Sequence, residues 1–578
     1  MLAVVFASPD SRARGLATEG RGAALDTVLR IGAGQGSPVT IERGGMVLAA
    51  WQGSARLTVD SARATAHEGW FEGALEGFFK GEFALAQLHD GGAVLARGRF
   101  GGRPFYWTRT GNGWMACSDL PALVGALGRR PALDRRRLAA LAVYKWAVGE
   151  DTTVYEGVSQ LRSGEVLRLG RDGSARSTFP DPAPLSPLAG DADALAEALR
   201  AELFRSVKRA IDGKQRVAVL AGGGVDSSGI LAASVALARG ASKADVLAMC
   251  LDFASVGDDR PYMRALADDL GIVPLRFPPS AFASHVRRAL VMGGCPYTWP
   301  TGGWELGLAE EAKRRGAEVI LTGTGGDDLL DGDPTWLAAR VLQGKPAAAV
   351  RDALALRLPW PSTKKKRLWQ FVLRPLLVGA TPFAVRHAMR RMRTRKITVP
   401  WAGPELEHVL RLTEKPHSRA LRPPTPGEHF QSMAYAPVTM QYAEVRVLFE
   451  AETACAAADP YLDEELVRFV AALPPEMMFY GGRLRGLFRH ALKGLVVDRV
   501  RLRPDKARFS EAGKEMLQAG EGLGTLRDLA DMRTLDALGI VNGRAYAAAF
   551  ERFVRCFDED SLDLWPALAL EAFARGQA

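Results

Sequence analysis

The strongest constraint on the fold is a short apolar run that ends in three glycines and opens into a helix. Arg216–Leu220 predicts a strand, and the pattern after it predicts a helix over residues 227–239. Glycines lack a Cβ, so their backbone can approach an anion, and a helix N-terminus directs free N–H groups to the same place. Ser227 and Ser228 add hydroxyl donors. We therefore expect a phosphate-binding loop, which consists of Ala221, Gly222, Gly223 and Gly224.

Strands and helices alternate after this loop. A helix is predicted over residues 261–270, and apolar runs predict three further strands, over Asp245–Leu251, 273–277 and Val319–Leu321. This alternation is typical of an α/β fold with a parallel sheet. The sequence therefore places the glycine loop at the carboxyl edge of such a sheet, where ligands bind.

Two aspartates follow the predicted strands. Asp226 comes directly after the glycines, and Asp327 lies in the segment 322–328, after Val319–Leu321. A carboxylate beside bound phosphate is repelled unless a cation lies between them, so we expect Mg²⁺ to be held by Asp226 and Asp327 together with phosphate oxygens. An ordinary glycine turn and a solvated acidic loop are the alternatives, but the combination favours a site. The spacing fits neither a Walker A loop nor a Rossmann fingerprint.

Length and composition indicate a folded protein of more than one domain. The chain has 578 residues, of which 47% are hydrophobic and 24% charged. Residues 1–180 carry short apolar runs between glycine-rich turns, which predicts a β-rich domain. The remainder combines the predicted sheet with many helices. We therefore expect two domains, over 1–180 and 190–578.

Several classes of protein are excluded by absent patterns. No apolar run of about 18 residues predicts a membrane span, and the N-terminal segment lacks the basic region of a secretory signal. The five cysteines show no metal-binding or disulfide spacing. These observations favour a cytoplasmic protein.

Four segments resemble motifs of the asparagine synthetase family of the class B type, and they occur in the family's order. Residues 220–228 resemble the loop Ser-Gly-Gly-x-Asp-Ser-Ser, and residues 322–328 resemble Gly-Glu-Gly-x-Asp-Glu. Residues 459–463 resemble Pro-Phe-Leu-Asp, and residues 503–509 resemble the family's C-terminal basic loop. Residues 81–84 and 97–106 resemble the segments Gly-x-Phe-Ala and Arg-Asp-x-x-Gly-x-x-Pro-Leu-Tyr of the glutaminase domain of the same family.

The resemblance implies a fold, cofactors and a reaction class. The N-terminal domain would be a degenerate, glutaminase-like αββα domain of the Ntn type. The C-terminal domain would be a PP-loop ATP pyrophosphatase of the adenine nucleotide α-hydrolase-like kind, with a helical extension. ATP and Mg²⁺ would be the cofactors of an ATP-dependent carbon–nitrogen ligase that forms AMP and pyrophosphate.

The resemblance also implies roles for single residues. Lys506 would contact the phosphates and stabilise charge at the reacting carbonyl. Thr324 and Asp328 belong to the second motif, and Arg485 and Arg489 occupy the positions of the family's Lys-x-x-Leu-Arg helix. The contacts with ATP and pyrophosphate would come from Ala221, Gly222, Gly223, Gly224, Asp226, Ser227, Ser228, Leu251, Thr322, Gly323 and Lys506.

The chain departs from the family at the nucleophile of the glutaminase domain. Glutamine-dependent members begin Met-Cys, whereas Leu2 follows Met1 here and none of the five cysteines stands near it in the sequence. Gly98 replaces the usual aspartate of a second glutaminase segment. Without its thiolate the domain cannot hydrolyse glutamine by that route. We therefore expect it to act as a scaffold or a docking surface.

Further departures fall in the synthetase motifs. Thr324 stands where asparagine synthetases carry glutamate, Ala456–Ala458 stands where the family often has Glu-x-Arg, and Gly222 replaces a serine. Threonine is a poor base, but a free α-amine, with a pKa near 7.7–8.0, needs little help from a base. The departures therefore favour a neutral amine as the nucleophile.

Three features together resemble the lasso peptide cyclases: a glutaminase-like domain without its cysteine, the loop Gly-x-Gly-Gly-Asp-Asp at residues 323–328, and the segment 258–262 after the second strand. The resemblance implies that an Asp or Glu side chain of a precursor core peptide is adenylated, and that the peptide's N-terminal amine then closes a macrolactam ring. A leader peptidase and a leader-binding protein would be partners. Two alternatives stay open: ATP-dependent amide synthesis on a small metabolite, as in an ammonia-dependent asparagine synthetase or a β-lactam synthetase, and a non-catalytic interaction platform.

A strongly basic stretch covers residues 364–396 and surrounds an apolar segment. Arg374 and Pro375 interrupt that segment, so it does not predict a membrane span. The stretch is either a solvated helical face or a docking site for the peptide, a partner protein or an anionic membrane surface. No nucleic-acid-binding module accompanies it, so we do not expect a nucleic acid partner.

Overall fold

The computed structural model describes most of the chain after residue 81 and separate strands before it. The described residues are 2–7, 26–30, 39–43, 46–53, 56–57, 79–80, 82–89, 92–100, 102–111, 113–143, 151–180, 184–242, 244–332, 336–358, 362–381, 385, 399–412, 424–556 and 563–577.

The described elements form a β-rich part followed by a mixed and then helical part. The strands are β1 (Leu2–Ala7), β2 (Asp26–Arg30), β3 (Val39–Arg43), β4 (Met46–Gly53), β5 (Arg56–Leu57), β6 (Phe79–Lys80), β7 (Phe83–His89), β8 (Gly92–Arg97), β9 (Tyr106–Thr110), β10 (Gly113–Cys117), β11 (Val158–Gln160), β12 (Val166–Gly170), β13 (Ala175–Thr178), β14 (Arg216–Leu220), β15 (Asp245–Leu251), β16 (Leu275–Phe277), β17 (Val291–Met292), β18 (Cys295–Pro296), β19 (Val319–Leu321) and β20 (Ala456–Ala458).

The helices lie mainly in the second part of the chain. The α-helices are α1 (Leu120–Ala126), α2 (Arg135–Val143), α3 (Ala192–Ile211), α4 (Val225–Leu237), α5 (Arg260–Leu270), α6 (Gly302–Arg314), α7 (Gly326–Leu330), α8 (Trp336–Leu342), α9 (Pro346–Ala355), α10 (Lys364–Leu368), α11 (Arg374–Ala380), α12 (Pro404–Leu412), α13 (Pro426–Ala434), α14 (Pro437–Thr453), α15 (Glu464–Ala471), α16 (Gly486–Ala491), α17 (Asp498–Arg501), α18 (Phe509–Gln518), α19 (Gly522–Leu529), α20 (Arg533–Ala537), α21 (Gly543–Cys556) and α22 (Trp565–Arg575). Short 3₁₀ or π-helical segments lie at Ala238–Ser242, Pro279–His285, Arg288–Leu290, Trp369–Leu373, Pro460–Leu462 and Pro475–Gly482.

Two antiparallel sheets form the N-terminal part. Their strand orders are β11-β9-β10-β1-β2 and β13-β12-β8-β7-β4-β3. Ala84 and Leu95 of the second sheet are buried in one apolar cluster with Trp114 of the first sheet. The two sheets therefore pack face to face over a shared core, as an αββα domain requires.

A parallel sheet with the order β16-β15-β14-β19-β20 lies at the centre of the second part. Its middle strand, β14, contributes Val217, Ala218 and Val219, which are fully buried. Val217 and Val219 belong to one apolar cluster and Ala218 to another, because alternate side chains of a strand point to opposite faces. β15 pairs with β14 on one side and β19 pairs with it on the other. The strand order reverses there, and ligands of such sheets bind beside the reversal, at the carboxyl ends of the strands.

The α/β fold class predicted from the sequence is confirmed, and β14, β15 and β19 have the predicted limits. β16 begins at Leu275, two residues later than predicted. α4 begins at Val225 with Gly224 as its N-cap, so the expected start near Ser227 was wrong by one half-turn. β20 was not predicted, because three alanines carry no β-branched or aromatic side chain. The limits of the two domains stay a prediction. Among the described residues, no helix is long and apolar enough to cross a bilayer.

Candidate active site

One cavity joins the carboxyl ends of β14 and β19 to the loop before α18. Its volume is about 510 Å³. Most residues predicted from the sequence line it, namely Ala221, Gly222, Gly224, Asp226, Ser227, Leu251, Thr322, Gly323, Thr324, Asp327 and Lys506. The predicted residues that are not part of its lining are Gly223, Ser228, Asp328, Arg485 and Arg489.

Two glycines of the loop between β14 and α4 leave no room for a side chain. A Cβ on Gly222 would lie 2.5 Å from Oδ2 of Asp259, and a Cβ on Gly223 would lie 2.7 Å from Nη1 of Arg503. Asp259 and Arg503 themselves form an ion pair, with 2.5 Å between Oδ1 and Nη1. The loop backbone therefore rests against this pair. Gly224 is different, because nothing lies within 4 Å of a Cβ at that position.

The two serines after the loop face different surroundings. The N–H of Gly222 donates to Oγ of Ser227 at 3.3 Å, and Ser227 lines the cavity. Ser228 is fully buried, and its hydroxyl lies 3.5 Å from the carbonyl oxygen of Gly222. Ser227 can therefore donate to a ligand in the cavity, whereas Ser228 supports the loop from behind. Their contacts with phosphate stay predictions.

Arg485 connects three carboxylates at the mouth of the cavity. It forms hydrogen-bonded ion pairs with Asp226 and Asp327, and its Nε lies 2.7 Å from Oδ1 of Asp331. Arg485 has φ +58°, in the left-handed region that residues with a side chain rarely adopt. It is the N-cap residue of α16. The two aspartates predicted from the sequence are thus brought together by an arginine.

The two bridged aspartates have different proton affinities. Burial raises the pKa of Asp226 to about 6, although Arg485 opposes the increase, and Asp327 adds to it. Burial also disfavours charge on Asp327, but Arg485 and Lys506 outweigh it and hold the pKa of Asp327 below its usual value. At neutral pH both side chains are therefore carboxylates, and Asp226 is the one nearer to taking up a proton.

The aspartates fit a magnesium ion shared with a phosphate group. Oδ1 of Asp226 is buried and has no hydrogen-bond partner among the described residues. Mg²⁺ prefers carboxylate oxygens and takes its other ligands from water and phosphate, so Asp226 and Asp327 are suitable donors. Within the described part of the chain, no cluster of three or more His, Cys, Asp or Glu side chains could hold a metal ion by itself.

The other predicted polar residues lie around this pair. Nζ of Lys506 is 2.8 Å from Oδ2 of Asp327, and the lysine side chain is 62% exposed, so it is free to move toward a ligand. Asp328 accepts a hydrogen bond from the hydroxyl of Tyr442 at 2.8 Å. Arg489 donates to the carbonyl oxygens of Leu484 and Arg501, so it holds two backbone segments together.

A chain of polar contacts runs from the cavity into the N-terminal sheets. The hydroxyl of Thr322 lies 2.7 Å from the hydroxyl of Thr324 and 2.6 Å from Oδ1 of Asp459. Asp459 lies 3.7 Å from the buried guanidinium of Arg446, which in turn pairs with Glu82 at 2.5 Å. Thr324 is therefore one hydroxyl away from a buried carboxylate. This contact was not foreseen from the sequence and weakens the inference that the site lacks a base.

Aromatic side chains line much of the remaining wall. Phe253, Trp299, Trp304, Phe449 and Phe509 are part of this lining. A partly buried carboxyl group, Glu305, stands among them, with Oε2 2.6 Å from the hydroxyl of Tyr297. Burial raises the pKa of Glu305, against the opposing hydrogen bonds of Tyr297 and Thr301.

The N-terminal domain holds a cysteine close to Leu2 in space, although none is close in the sequence. Ala3 in β1 is the partner of Cys117 in β10. Cys117 is buried, and burial raises the pKa of its thiol to about 12. It is therefore protonated at neutral pH and is a poor nucleophile. Cys117 thus lies near Leu2 in space although it is far away in the sequence. The loss of the nucleophilic cysteine stays a prediction.

Several residues of the site were missed or ranked too low. Arg485 was placed only by its motif, and the spacing gave no sign that it bridges both aspartates. Asp459 precedes a motif that was recognised, so its position before Pro460 was a usable signal. Arg446 and Glu305 lie in helices without any local pattern that marks them.

The parallel sheet, its glycine loop and the facing carboxylates are the arrangement of an ATP-binding α/β enzyme. Residues 198–575 match the family model of asparagine synthase, and residues 65–180 match that of a glutamine amidotransferase domain. The first match covers more than half of the chain, which therefore belongs to the asparagine synthase family. Membership of this family indicates an ATP-dependent ligase.

Curated relatives are similar at low identity. Asparagine synthetase (glutamine-hydrolyzing) 3 of Bacillus subtilis is 23% identical over 455 residues, which are 75% of this chain and 67% of that protein. Amidase chry2 of Gibberella zeae is 25% identical over 273 residues, and amidase chyE of Penicillium rubens is 26% identical over 274. Each of these two matches covers 44% of this chain and 40% of the amidase, so the chain spans about two fifths of their length.

Proposed function

We propose that the protein is a lasso peptide cyclase, which forms an amide between a side-chain carboxylate and the N-terminal amine of one peptide. In the first step the Asp or Glu carboxylate attacks the α-phosphorus of ATP, and pyrophosphate leaves. The glycine loop and Ser227 bind the phosphates. Asp226 and Asp327 would hold Mg²⁺, which would supply positive charge against the pyrophosphate. In the second step the amine attacks the acyl-adenylate, AMP leaves, and the amine loses a proton.

Lys506 is the residue that we assign to the reacting centre. Its ammonium group is 2.8 Å from Asp327 and has freedom to turn, because most of the side chain is exposed. A fixed positive charge near the carbonyl oxygen stabilises the tetrahedral state of the second step. The aromatic wall excludes water and so protects the acyl-adenylate from hydrolysis.

The observation that carries the proposal is that the phosphate loop and an aromatic chamber share one cavity. The glycine loop, Asp226 and Asp327 provide one end, and Trp299 and Trp304 belong to the aromatic lining. Such a chamber suits an apolar or aromatic peptide segment next to the carboxylate that is activated. Because the thiol of Cys117 is protonated at neutral pH, this cysteine does not supply the nucleophile for release of ammonia from glutamine.

The test separates the two half-reactions. ATP–pyrophosphate exchange would be measured with a candidate precursor peptide, with the same peptide acetylated at its N-terminus, and with free aspartate or glutamate. We expect exchange with both peptides, ring closure with loss of one water for the free peptide only, and no exchange with the amino acids. The proposal is wrong if a free amino acid supports exchange and peptides do not. Absence of ATP–pyrophosphate exchange with both the peptides and the free amino acids would favour the non-catalytic alternative.

One observation favours a second candidate, amide synthesis on a small amino acid. Arg446 and Glu305 both line the cavity and could pair with the carboxylate and the ammonium group of such a substrate. One relative is named an asparagine synthetase. Arg446, however, is already paired with Glu82. Exchange that saturates with a free amino acid, and product formation with added ammonium salt, would establish this candidate.

The partners of the proposed cyclase follow from its substrate. A leader peptidase must expose the amine of the core peptide, and a leader-binding protein must deliver the precursor. Co-purification of tagged protein with the products of neighbouring genes would test this part of the proposal.

A further inference from the structure

One segment of the sequence accounts for the whole net positive charge of the protein. Between Asp352 and Glu405 the sequence holds 12 arginines and lysines and no acidic residue. The full chain has 75 basic and 65 acidic residues, so the remainder has 63 basic and 65 acidic ones. The described part of this segment includes Lys364, Lys365, Lys366 and Arg374, which are all exposed. The net positive charge is therefore concentrated in one segment of the sequence, and the lysines that the structure describes in that segment are exposed.

The same segment has two apolar faces. α10, the π-helical turn Trp369–Leu373 and α11 follow one another without a break. Phe371 and Val372 are buried in the core of the synthetase part, and Leu368 and Leu376 pack against it. This face anchors the helical segment to the protein.

The second apolar face is exposed. Trp369, Leu373, Leu377 and Val378 are 52%, 50%, 56% and 42% exposed. Positions 369, 373 and 377 are four residues apart, so they follow one another along one side of the helical segment, and Lys365 continues the same row. Large apolar side chains in such a row are unusual on a protein surface and mark an interaction site.

We propose that this exposed face docks on an anionic lipid bilayer. The face is defined by its apolar row and its lysines: Lys364, Lys365, Lys366, Trp369, Leu373, Arg374, Leu377 and Val378. A helix that lies in a membrane interface combines these features, because leucines enter the acyl boundary, tryptophan prefers the headgroup level and lysines contact anionic headgroups. The proposal does not depend on the proposed peptide substrate.

The charges and the apolar row together favour a bilayer over an acidic protein. An acidic protein surface would match the charge of the lysines, but it would provide no apolar partner for the row Trp369, Leu373 and Leu377. A bilayer satisfies both at once. The core-packed residues Phe371 and Val372 fix the orientation, so the row does not have to fold on the membrane before it inserts.

Flotation of the full-length protein with lipid vesicles tests the proposal. Neutral phosphatidylcholine vesicles would be compared with vesicles that contain about a third phosphatidylglycerol, at low and at physiological salt. We expect at least tenfold stronger partition into the anionic vesicles. Lys364→Gln, Lys365→Gln and Lys366→Gln in one variant should weaken it by about a hundredfold, since each lysine near the surface contributes about fivefold. Trp369→Gln, Leu373→Gln and Leu377→Gln should weaken it by at least tenfold.

Two matched control variants distinguish specific docking from non-specific adsorption to vesicles. The first removes three exposed cations elsewhere, Arg129, Arg130 and Arg135, and the second replaces the exposed Val256 and Val273 with glutamine. We expect both to bind the anionic vesicles within about twofold of the unchanged protein. The proposal fails if the protein ignores anionic vesicles at low salt, or if the arginine variant loses as much binding as the lysine variant. It also fails if the apolar variant, with its fold verified by circular dichroism, binds like the unchanged protein, which would favour an acidic protein partner.

Discussion

Arg485 holds three carboxylates from a backbone conformation that costs free energy. A non-glycine residue in the left-handed region is disfavoured by about 1–2 kcal/mol. The conformation is maintained here because Asp226, Asp327 and Asp331 all accept hydrogen bonds from one guanidinium. Strain of this kind is typical of positions at which geometry matters for function. Arg485 therefore acts as the counter-ion that allows two candidate metal ligands to approach each other.

This arrangement predicts an acidic limit to ATP use. A protonated Asp226 is a poor ligand for Mg²⁺, and its pKa is about 6. We expect kcat/KM for ATP to fall as the pH drops through about 6, since this ratio reports the free enzyme. In Arg485→Gln the counter-ion is lost, so the limit should move to higher pH. Arg483→Gln is the matched control two residues away and should leave it in place. An unchanged pH profile in Arg485→Gln contradicts this role.

Lys506 gives a second prediction at the scale of one residue. We expect Lys506→Ala to lower the rate of amide formation by about two orders of magnitude, as the loss of a donor to a developing oxyanion does. Lys493→Ala removes an exposed lysine outside the cavity and should retain nearly full activity. A Lys506→Ala enzyme with an unchanged rate would remove the lysine from the chemistry and leave it as a surface partner of Asp327.

The surroundings of the candidate aspartates show which contacts of the site could be predicted from the sequence and which could not. Asp226 and Asp327 stand directly after predicted strands, and strand polarity is enough to bring them to one edge. Arg485 lies more than 150 positions beyond Asp327. It contacts both aspartates from a backbone conformation with positive φ. No periodicity encodes such an angle for an arginine. The contacts of Arg446 with Asp459 and Glu82 also could not be predicted, because they depend on how α14 packs against the N-terminal sheets.

At the scale of elements, the turn from β14 into α4 is defined by the space available to its glycines. We expect Gly223→Ala to destabilise the protein by about 1–3 kcal/mol, as overpacking does, because its Cβ would lie 2.7 Å from Arg503 and from Tyr262. The apparent affinity for ATP should fall with it, since the loop must move. Gly224→Ala is the matched control for stability alone, with open space at Cβ. Thermal unfolding would compare the two variants, and ATP titration would check Gly223→Ala; equal unfolding temperatures of the two variants would contradict this expectation.

Elements differ in how far the sequence determines them. β14, β15 and β19 are apolar runs bounded by turns, and their limits were predicted correctly. β20 consists of Ala456–Ala458, which has no intrinsic strand preference, and it forms because β19 offers an unpaired edge beside it. This also gives a physical reading of the missing Glu-x-Arg: the segment is a short edge strand that delivers Asp459 to the cavity.

At the scale of the whole molecule, the N-terminal sheets supply a charge to the wall of the cavity. Glu82, next to β7, pairs with Arg446 of α14, and Arg446 faces Asp459. Arg103 and Glu450 form a second ion pair between the same two parts, at 2.6 Å. Removal of one partner from a buried pair leaves the other charge uncompensated. The part of the chain that matches a glutamine amidotransferase domain therefore contributes a charged partner to Arg446 in the wall of the neighbouring cavity.

The titration of Glu82 makes this dependence measurable. Burial raises its pKa from 4.5 to about 7, although Arg446 opposes the increase. A carboxyl group with a raised pKa in the folded state contributes stability that is fully present below about pH 4.5 and is lost as the pH rises through about 7. Glu82→Gln resembles the protonated form at every pH. We therefore expect the unfolding temperature of the unchanged protein, relative to that of Glu82→Gln, to decrease by on the order of 5 °C between about pH 4.5 and 7 and then to stay constant.

Tyr155→Phe is the control variant. It removes a hydrogen bond to Gln577 between the same two parts of the chain but no carboxyl group, so its effect on the unfolding temperature should not change across this pH range. A difference between Glu82→Gln and the unchanged protein that is equally independent of pH would mean that folding does not shift the pKa of Glu82, and that this residue supports the cavity by packing instead of by charge.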